Sequence, residues 1–288
     1  MKLGRKYTLA IEVAGGQKTE VTLPLTLDFE VRRNSQSSAN TANFRIYNLH
    51  ERTRNLIYFD RYNISEFRAI QLRAGYQTFT PLIFNGTVRQ AYSYREGVNM
   101  ITDIECYDGG FQMVNGFTSQ TIGIGTAATE VIRSLASTLP GLTSQPIVGA
   151  FNTINKRGEV LFGNTWELIS QKTGGLANID NGQVKALQNN EVITGEIVEI
   201  NSDSGLLGSP KRSDALLEFD MLFEPRLTIG QVVDLKSSTN RIFNGRYKVM
   251  GVIHRGTISD AVAGNATTTV SLWLGTAVLE VIKGTAIP

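Results

Sequence analysis

A mainly β fold, with two barrel-like β blocks flanking a small α+β insertion, follows from three patterns in the 288-residue sequence. Apolar residues recur at every second position over the first third, which is the spacing of half-buried strands. Near residue 116 the spacing becomes helical, and after about residue 195 alternation returns. These changes place a first β block at 1–115, an α+β insertion at 116–195 and a second β block at 196–288.

Within the first block, Tyr7, Leu9, Ile11 and Val13 mark one strand face, and Gly15-Gly16 supplies a turn. Val21, Leu23, Leu25, Leu27, Phe29 and Val31 then define one long strand, which Pro24 would hold at a sheet edge. A polar Ser/Asn-rich loop is expected at 33–43, followed by strands at 44–47, 69–76, 82–94 and 98–107. On the last of these, Val98, Met100, Ile104 and Cys106 should face the core. Asn48 and Glu51 have the spacing of a capping box before a short helix carrying Leu56 and Ile57.

In the insertion, Ala127, Val131, Ile132, Leu135, Ala136 and Leu139 predict a helix over 126–139, stopped by Pro140-Gly141. A second helix, capped by Thr165, carries Trp166, Leu168 and Ile169. Asn181-Gly182 is a two-residue hairpin turn between short strands. In the second block, Ala215, Leu217, Phe219, Met221 and Phe223 alternate until Pro225, Gly230 permits a turn, and 232–235 continues as strand. Tyr247, Val249, Gly251 and Ile253, then Val270, Leu272 and Leu274, complete the wall.

Composition narrows the chemistry. The hydrophobic share of 41% suits a soluble protein with a real core, and a formal charge of +2 gives no broad cationic field for nucleic acid. One cysteine, Cys106, excludes a disulfide framework, and two histidines, His50 and His254, make a His-rich metal centre unexpected. No apolar run approaches the roughly 18 residues that span a bilayer, and the N-terminal alternation is not that of a signal peptide. No cofactor, metal or membrane anchor is expected, and the chain reads as a reduced, cytoplasmically made protein.

Candidate catalytic groups fail on number or spacing. His254 lies near Ser259 and Asp260, but a triad is defined by geometry, and His254 ends a strand. His50 reads as a solvated residue at a helix start. Asp103 and Glu105 share a polar strand face, with Asp108 just beyond, and read as solvated or as a subunit contact. Gly123-Ile124-Gly125 lacks the remainder of a phosphate-binding motif. Arg32-Arg33, Arg52 with Arg54, and Lys211-Arg212 are short basic clusters, and Tyr92 and Tyr94 beside Arg95 would more often pack across strands than stack bases. No enzyme is expected.

Three passages together resemble the central baseplate hub proteins of contractile-tailed bacteriophages, related to the late control D proteins and the hub portion of VgrG. The first is Phe44-Arg45-Ile46-Tyr47-Asn48-Leu49 with the helix at 51–57. The second runs over 161–187, a Trp-bearing helix and then the hairpin. The third starts at Pro210, passes Pro225, Leu227, Gly230, Val233 and Leu235, then Gly245, Tyr247, Val249 and His254, and ends in the threonine-rich strand at 267–274. Specificity lies in their order across nearly the whole chain.

The resemblance implies that both β blocks are tail-tube-like barrels and that three subunits form a ring presenting six of them. Such a homotrimer would join a six-fold tail tube, or tube initiator, above to a three-fold central spike below. It would line part of the channel through which DNA passes in transit, and wedge and tape-measure proteins could touch it. The setting implied is the virion's tail baseplate, assembled in the host cytoplasm. After Leu274 only 275–288 remain, so the spike and any peptidoglycan-cleaving domain are expected on separate chains. Alternatives are a hexameric tube initiator, a cell-wall polymer hydrolase of the tail tip using His254 or Glu105, and a glycan-binding module built on Tyr92 and Tyr94.

Overall fold

The computed structural model describes residues 4–36, 38–62, 66–77, 79–262, 264–275 and 280–282. The first block is β1 (Arg5–Glu12), β2 (Lys18–Thr22), β3 (Leu27–Asn34), β4 (Asn40–Tyr47), helix α1 (Glu51–Ile57), β5 (Ala69–Tyr76), β6 (Leu82–Glu96) and β7 (Asn99–Asp108). The insertion has α2 (Gly110–Asn115), β8 (Phe117–Ile122), α3 (Ala128–Ser137), β9 (Ile147–Val148), β10 (Glu159–Asn164), α4 (Thr165–Thr173), β11 (Ala177–Asp180), β12 (Gln183–Ala186) and β13 (Glu191–Ile193). The second block follows with β14 (Val198–Ile200), β15 (Leu206–Ser213), β16 (Leu216–Leu222), β17 (Val232–Leu235), β18 (Gly245–Ile258) and β19 (Ala266–Trp273), and β20 (Glu280–Ile282) pairs in parallel with β13.

The two β blocks do not close separately. Among the described residues they share one thirteen-stranded sheet, ordered β15-β16-β19-β18-β3-β4-β7-β6-β5-β1-β2, with β17 on β18 and β14 on β17. The junction is the antiparallel pairing of β18 with β3, from Gly251 opposite Asn34 to Ile258 opposite Leu27. Sequence periodicity reports which face of a strand is buried and says nothing about which strand lies next to it, so this path was outside its reach.

Three apolar cores lie against this frame. One gathers the inward faces of β1 to β7, and Phe223, Ile258 and Ala266 from the second block enter it. A second joins α3 and α4 to β11 and β12. The third lies under β14 to β19.

Several local expectations are corrected. The strand read over 21–31 is two, because the chain bends at Pro24, which has no N–H to continue a ladder, and Leu25 N–H closes the bend on Thr22 O. The loop read over 33–43 is only the link between Asn34 and Asn40, since polar residues extend both strands. Helix α1 is capped by His50, whose Nδ1 accepts the Arg52 N–H, and Asn48 instead adopts φ 57 and bonds Met100. Helix α4 is capped by Asn164 and not by Thr165, which is buried as the first helical residue. Val98 is exposed at the β6–β7 turn and Met100 is half-buried, so the core face of β7 begins at Thr102 and continues through Ile104 and Cys106.

Candidate functional site: a buried ionic node and a charged sheet face

The Asn181-Gly182 turn joins β11 to β12 with both residues at positive φ (53 and 76), as a two-residue hairpin requires. This hairpin tip is held by charged groups from the first β block and by uncharged polar groups from the second. Arg33 on β3 bonds Asp180 through two nitrogens, Nε to Oδ1 at 2.7 Å and Nη2 to Oδ2 at 2.8 Å. Lys185 Nζ donates to the same Oδ2 at 2.7 Å, and Thr228 Oγ1 lies 3.2 Å from it. Arg33 also donates to Thr228 Oγ1 and Leu227 O, and Lys185 to Ile229 O. From β7, Asp108 accepts the N–H groups of Asn181 and Gly182, while Asn40 Nδ2 donates to Ile179 O.

All four ionisable members are buried, so their charges act on each other with little screening. Burial works to raise the pKa of Asp180, but Arg33 and Lys185 outweigh it and hold the carboxylate well below its ordinary range. Asp108 goes the other way. Burial and the neighbouring Asp180 push it up to about 7 against its backbone hydrogen bonds and Arg33. A second link ties the insertion to the second block: Glu191 accepts the N–H groups of Ala150 and Gln188, and Lys248 Nζ donates to Gln188 O at 2.6 Å. Burial lowers Lys248 to about 8, with Glu191 resisting.

On the opposite, solvent side of the sheet lies an open groove of about 630 Å³ that crosses the β18–β3 junction, lined among others by Asp28, Glu30, Arg45, Tyr92, Asp103 and Arg255. Most of its carboxylates are paired locally, Glu30 with Arg32 at 2.6 Å, Asp103 with Arg45 at 3.0 Å and Glu105 with Arg89 at 3.3 Å, while Asp28 accepts the Tyr47 and Thr257 hydroxyls. Tyr94 donates to Asp103, and the Tyr92 and Tyr94 rings stack 5.9 Å apart. Exposed pairs of this kind contribute about 0–1 kcal/mol each, so they set surface charge more than stability.

The residues singled out from sequence are spread along the frame. Phe44, Ile46 and Leu49 are buried in the first core, Phe44 edge-to-face with Phe84, while Tyr47 donates to Asp28 at 2.8 Å. Pro210 lies on β15 at the end of the sheet path, and Pro225 follows the last turn of β16. Gly230 has φ 86, and a Cβ there would meet Ile193 Cδ1 at 2.9 Å. Gly245 sits beside the Tyr247 ring, Tyr247 donates to Phe243 O, and Val249 is buried. His254 is sealed in the interior, with Nδ1 2.9 Å from Thr268 Oγ1 and its ring edge-to-face with Phe223. Ser259 bonds Thr26, so the three residue types of a triad do not meet. The short basic cluster at Arg32-Arg33 is divided, Arg32 exposed and Arg33 buried in the node.

Sequence reasoning missed the node, although a signal existed. Arg33 continues the 27, 29, 31 register, and Asp108 continues 104 and 106, so both lie on inward faces.

Burial lowers His254 to about 3, with Arg33 adding to the effect. A neutral buried histidine contributes stability that is lost as pH falls below its unfolded value of about 6.5. Asp108 has a raised native pKa, so its contribution is lost as pH rises through about 7. The two oppose each other between roughly pH 4 and 6.5. On acidification from pH 7 to 4, the melting temperature of Asp108→Asn should therefore fall faster than that of wild type. That of His254→Asn should fall more slowly. Parallel melting curves across this range would refute both assignments.

No helix among the described residues is long and apolar enough to cross a membrane. What the geometry defines is a β scaffold whose buried charges lock an inserted unit against two fused β blocks. A family profile described as Baseplate hub gp41 matches residues 8–255. No curated protein matches the sequence. Three solved structures share the fold. A tail protein from Neisseria meningitidis MC58 superposes with a TM-score of 0.60 at 9% identity, over 94% of this chain and 96% of that one. The 43 kDa tail protein of prophage MuSo2 from Shewanella oneidensis gives 0.59 at 9% identity, over 92% and 96%. The E. coli protein c3393, described as a type VI secretion component similar to the T4 tail proteins gp27 and gp5, gives 0.58 at 9% identity, over 96% and 80%. The chain belongs to the Baseplate hub gp41 family and is a structural protein of the phage tail baseplate.

Proposed function

We propose that this hub protein is a non-catalytic homotrimeric adapter that joins a six-fold tail tube, or its initiator, to a three-fold central spike. The observation that carries the reading is the β18–β3 junction, which sets two β blocks side by side in one sheet. Taken as tail-tube-like units at 1–115 and 196–288, with the α+β insertion at 116–195 between them, they give each subunit two similar faces. Three subunits then supply six. The motif residues picked out from sequence, from Phe44 to His254, act in this reading as framework and not as a site.

The paired charges of the groove suit a channel wall. Carboxylates neutralised by adjacent arginines leave no uniform cationic track to hold phosphates, so DNA in transit would slide past. Lack of catalysis is supported by the sealing of His254 and by the engagement of Asp103 and Glu105 in ion pairs. Wedge and tape-measure proteins would be further neighbours.

Light scattering of the chain mixed with its spike protein should give a species containing three 31.6 kDa subunits. A persistent monomer overturns the adapter reading, and a hexamer favours a tube initiator. Cleavage of purified peptidoglycan that disappears in Glu105→Ala would instead make the chain a hydrolase.

A further inference from the structure

The antiparallel β8–β10 pair of the insertion, whose strands are linked through α3 and β9, pairs with no other strand among the described residues. Its inner face packs Thr118, Ile122 and Leu161 towards the core of the insertion, and Glu159 on that side is tied to Lys172 at 2.6 Å. Its outer face presents Phe117, Ser119, Thr121, Val160, Phe162 and Asn164, none of them charged. Phe117, Val160 and Phe162 are 61%, 69% and 69% exposed, and the two phenyl rings meet edge-to-face at 5.0 Å. Exposed aromatics clustered in this way mark an interaction surface.

Two further observations say what covers it. First, the edges of this strand pair are unprotected. The terminal strand β15 carries Pro210, Lys211, Arg212 and a register shift between Leu207 and Lys211, the usual defences of an edge. Neither β8 nor β10 has a proline, a basic residue or a register shift. Second, the free charge at one end of this face, beside the start of β10, is positive. Lys156 and Arg157 are exposed just before β10, next to the exposed Ile124 and Ile154.

We propose that the β8–β10 strand pair is a docking strip for an extended segment of another tail protein, which adds as a third strand. Its alternate apolar side chains would lie on Phe117, Val160 and Phe162, and acidic residues at one end would meet Lys156 and Arg157. The proposal uses membership of the hub family and does not depend on the trimeric adapter reading.

The experiment places a photoreactive benzoylphenylalanine at position 162 in assembled tail particles and maps the cross-linked peptide by mass spectrometry. The expected product is a segment of a different protein with alternating apolar residues and flanking Asp or Glu. Lys156→Glu with Arg157→Glu should cut the cross-link yield at least tenfold. Because all these positions are exposed, circular dichroism of the purified variants should match wild type. A cross-link to a second copy of this chain, a cross-link to a helix, no cross-link in particles, or a yield indifferent to charge reversal would each overturn the proposal.

Discussion

Arg33→Ala is expected to destabilise the protein by about 3–5 kcal/mol, the loss typical when one partner of a buried ion pair is removed. The guanidinium makes two bonds to Asp180, one to Thr228 and one to Leu227 O, so its removal strips four charge-assisted contacts at once. Lys185 alone would then face the carboxylate, and Asp180 would stay buried without its main counter-charge. Arg33→Lys should recover little, because an ammonium cannot reproduce the two-nitrogen geometry. The pH dependence has a definite sign. Wild-type Asp180 is held below its ordinary pKa, so its stabilising contribution is present above about pH 4 and lost below it. Urea denaturation should thus show the gap between wild type and Arg33→Ala narrowing as pH falls below 4. A constant gap would mean that the arginine acts by packing alone.

Phe223→Ala should be of similar size, about 3–5 kcal/mol, the range for emptying a buried phenylalanine site. The ring is fully buried and leaves the second block to sit in the core of the first, with Phe29, His254 and Tyr76 at centroid distances of 5.7, 5.4 and 6.0 Å. Its carbonyl also accepts the Tyr76 hydroxyl, so the backbone helps to fix the crossing. Truncation leaves a cavity among three aromatic rings that cannot easily collapse. Phe223→Leu, which retains most of the volume, should cost no more than about 1.5 kcal/mol. Equal losses for the two variants would show that ring geometry, and not filled space, secures the joint.

The strands of the two β blocks were legible because each has a wet and a dry face, and Tyr7 to Val13 or Leu217 to Phe223 display that contrast directly. The Asn181-Gly182 hairpin was legible because few residue pairs accept its backbone. Caps were read one or two residues away, at Asn48 for His50 and at Thr165 for Asn164, since short polar side chains next to each other compete for the same N–H groups. The β8–β10 strand pair escaped because its bulky apolar residues Phe117, Val160 and Phe162 point outward while Thr118 points inward, so wet and dry faces are not told apart by composition. The node escaped for a different reason. Arg33, Asp108 and Asp180 look like surface residues one at a time, and only long-range pairing turns them inward.

That pairing also sets an order of events during synthesis. Arg33 and Asp180 are separated by 147 positions, and Arg33 and Thr228 by 195. Contacts of such long span form late and slowly, after loop-closure entropy has been overcome. A ribosome-bound chain that has emerged only through β12 already holds Arg33, Asp180 and Lys185, but it lacks the threonine hydroxyl and the Leu227 and Ile229 carbonyls that complete their shell. The lock thus gains its full set of partners only after most of the last unit has been made.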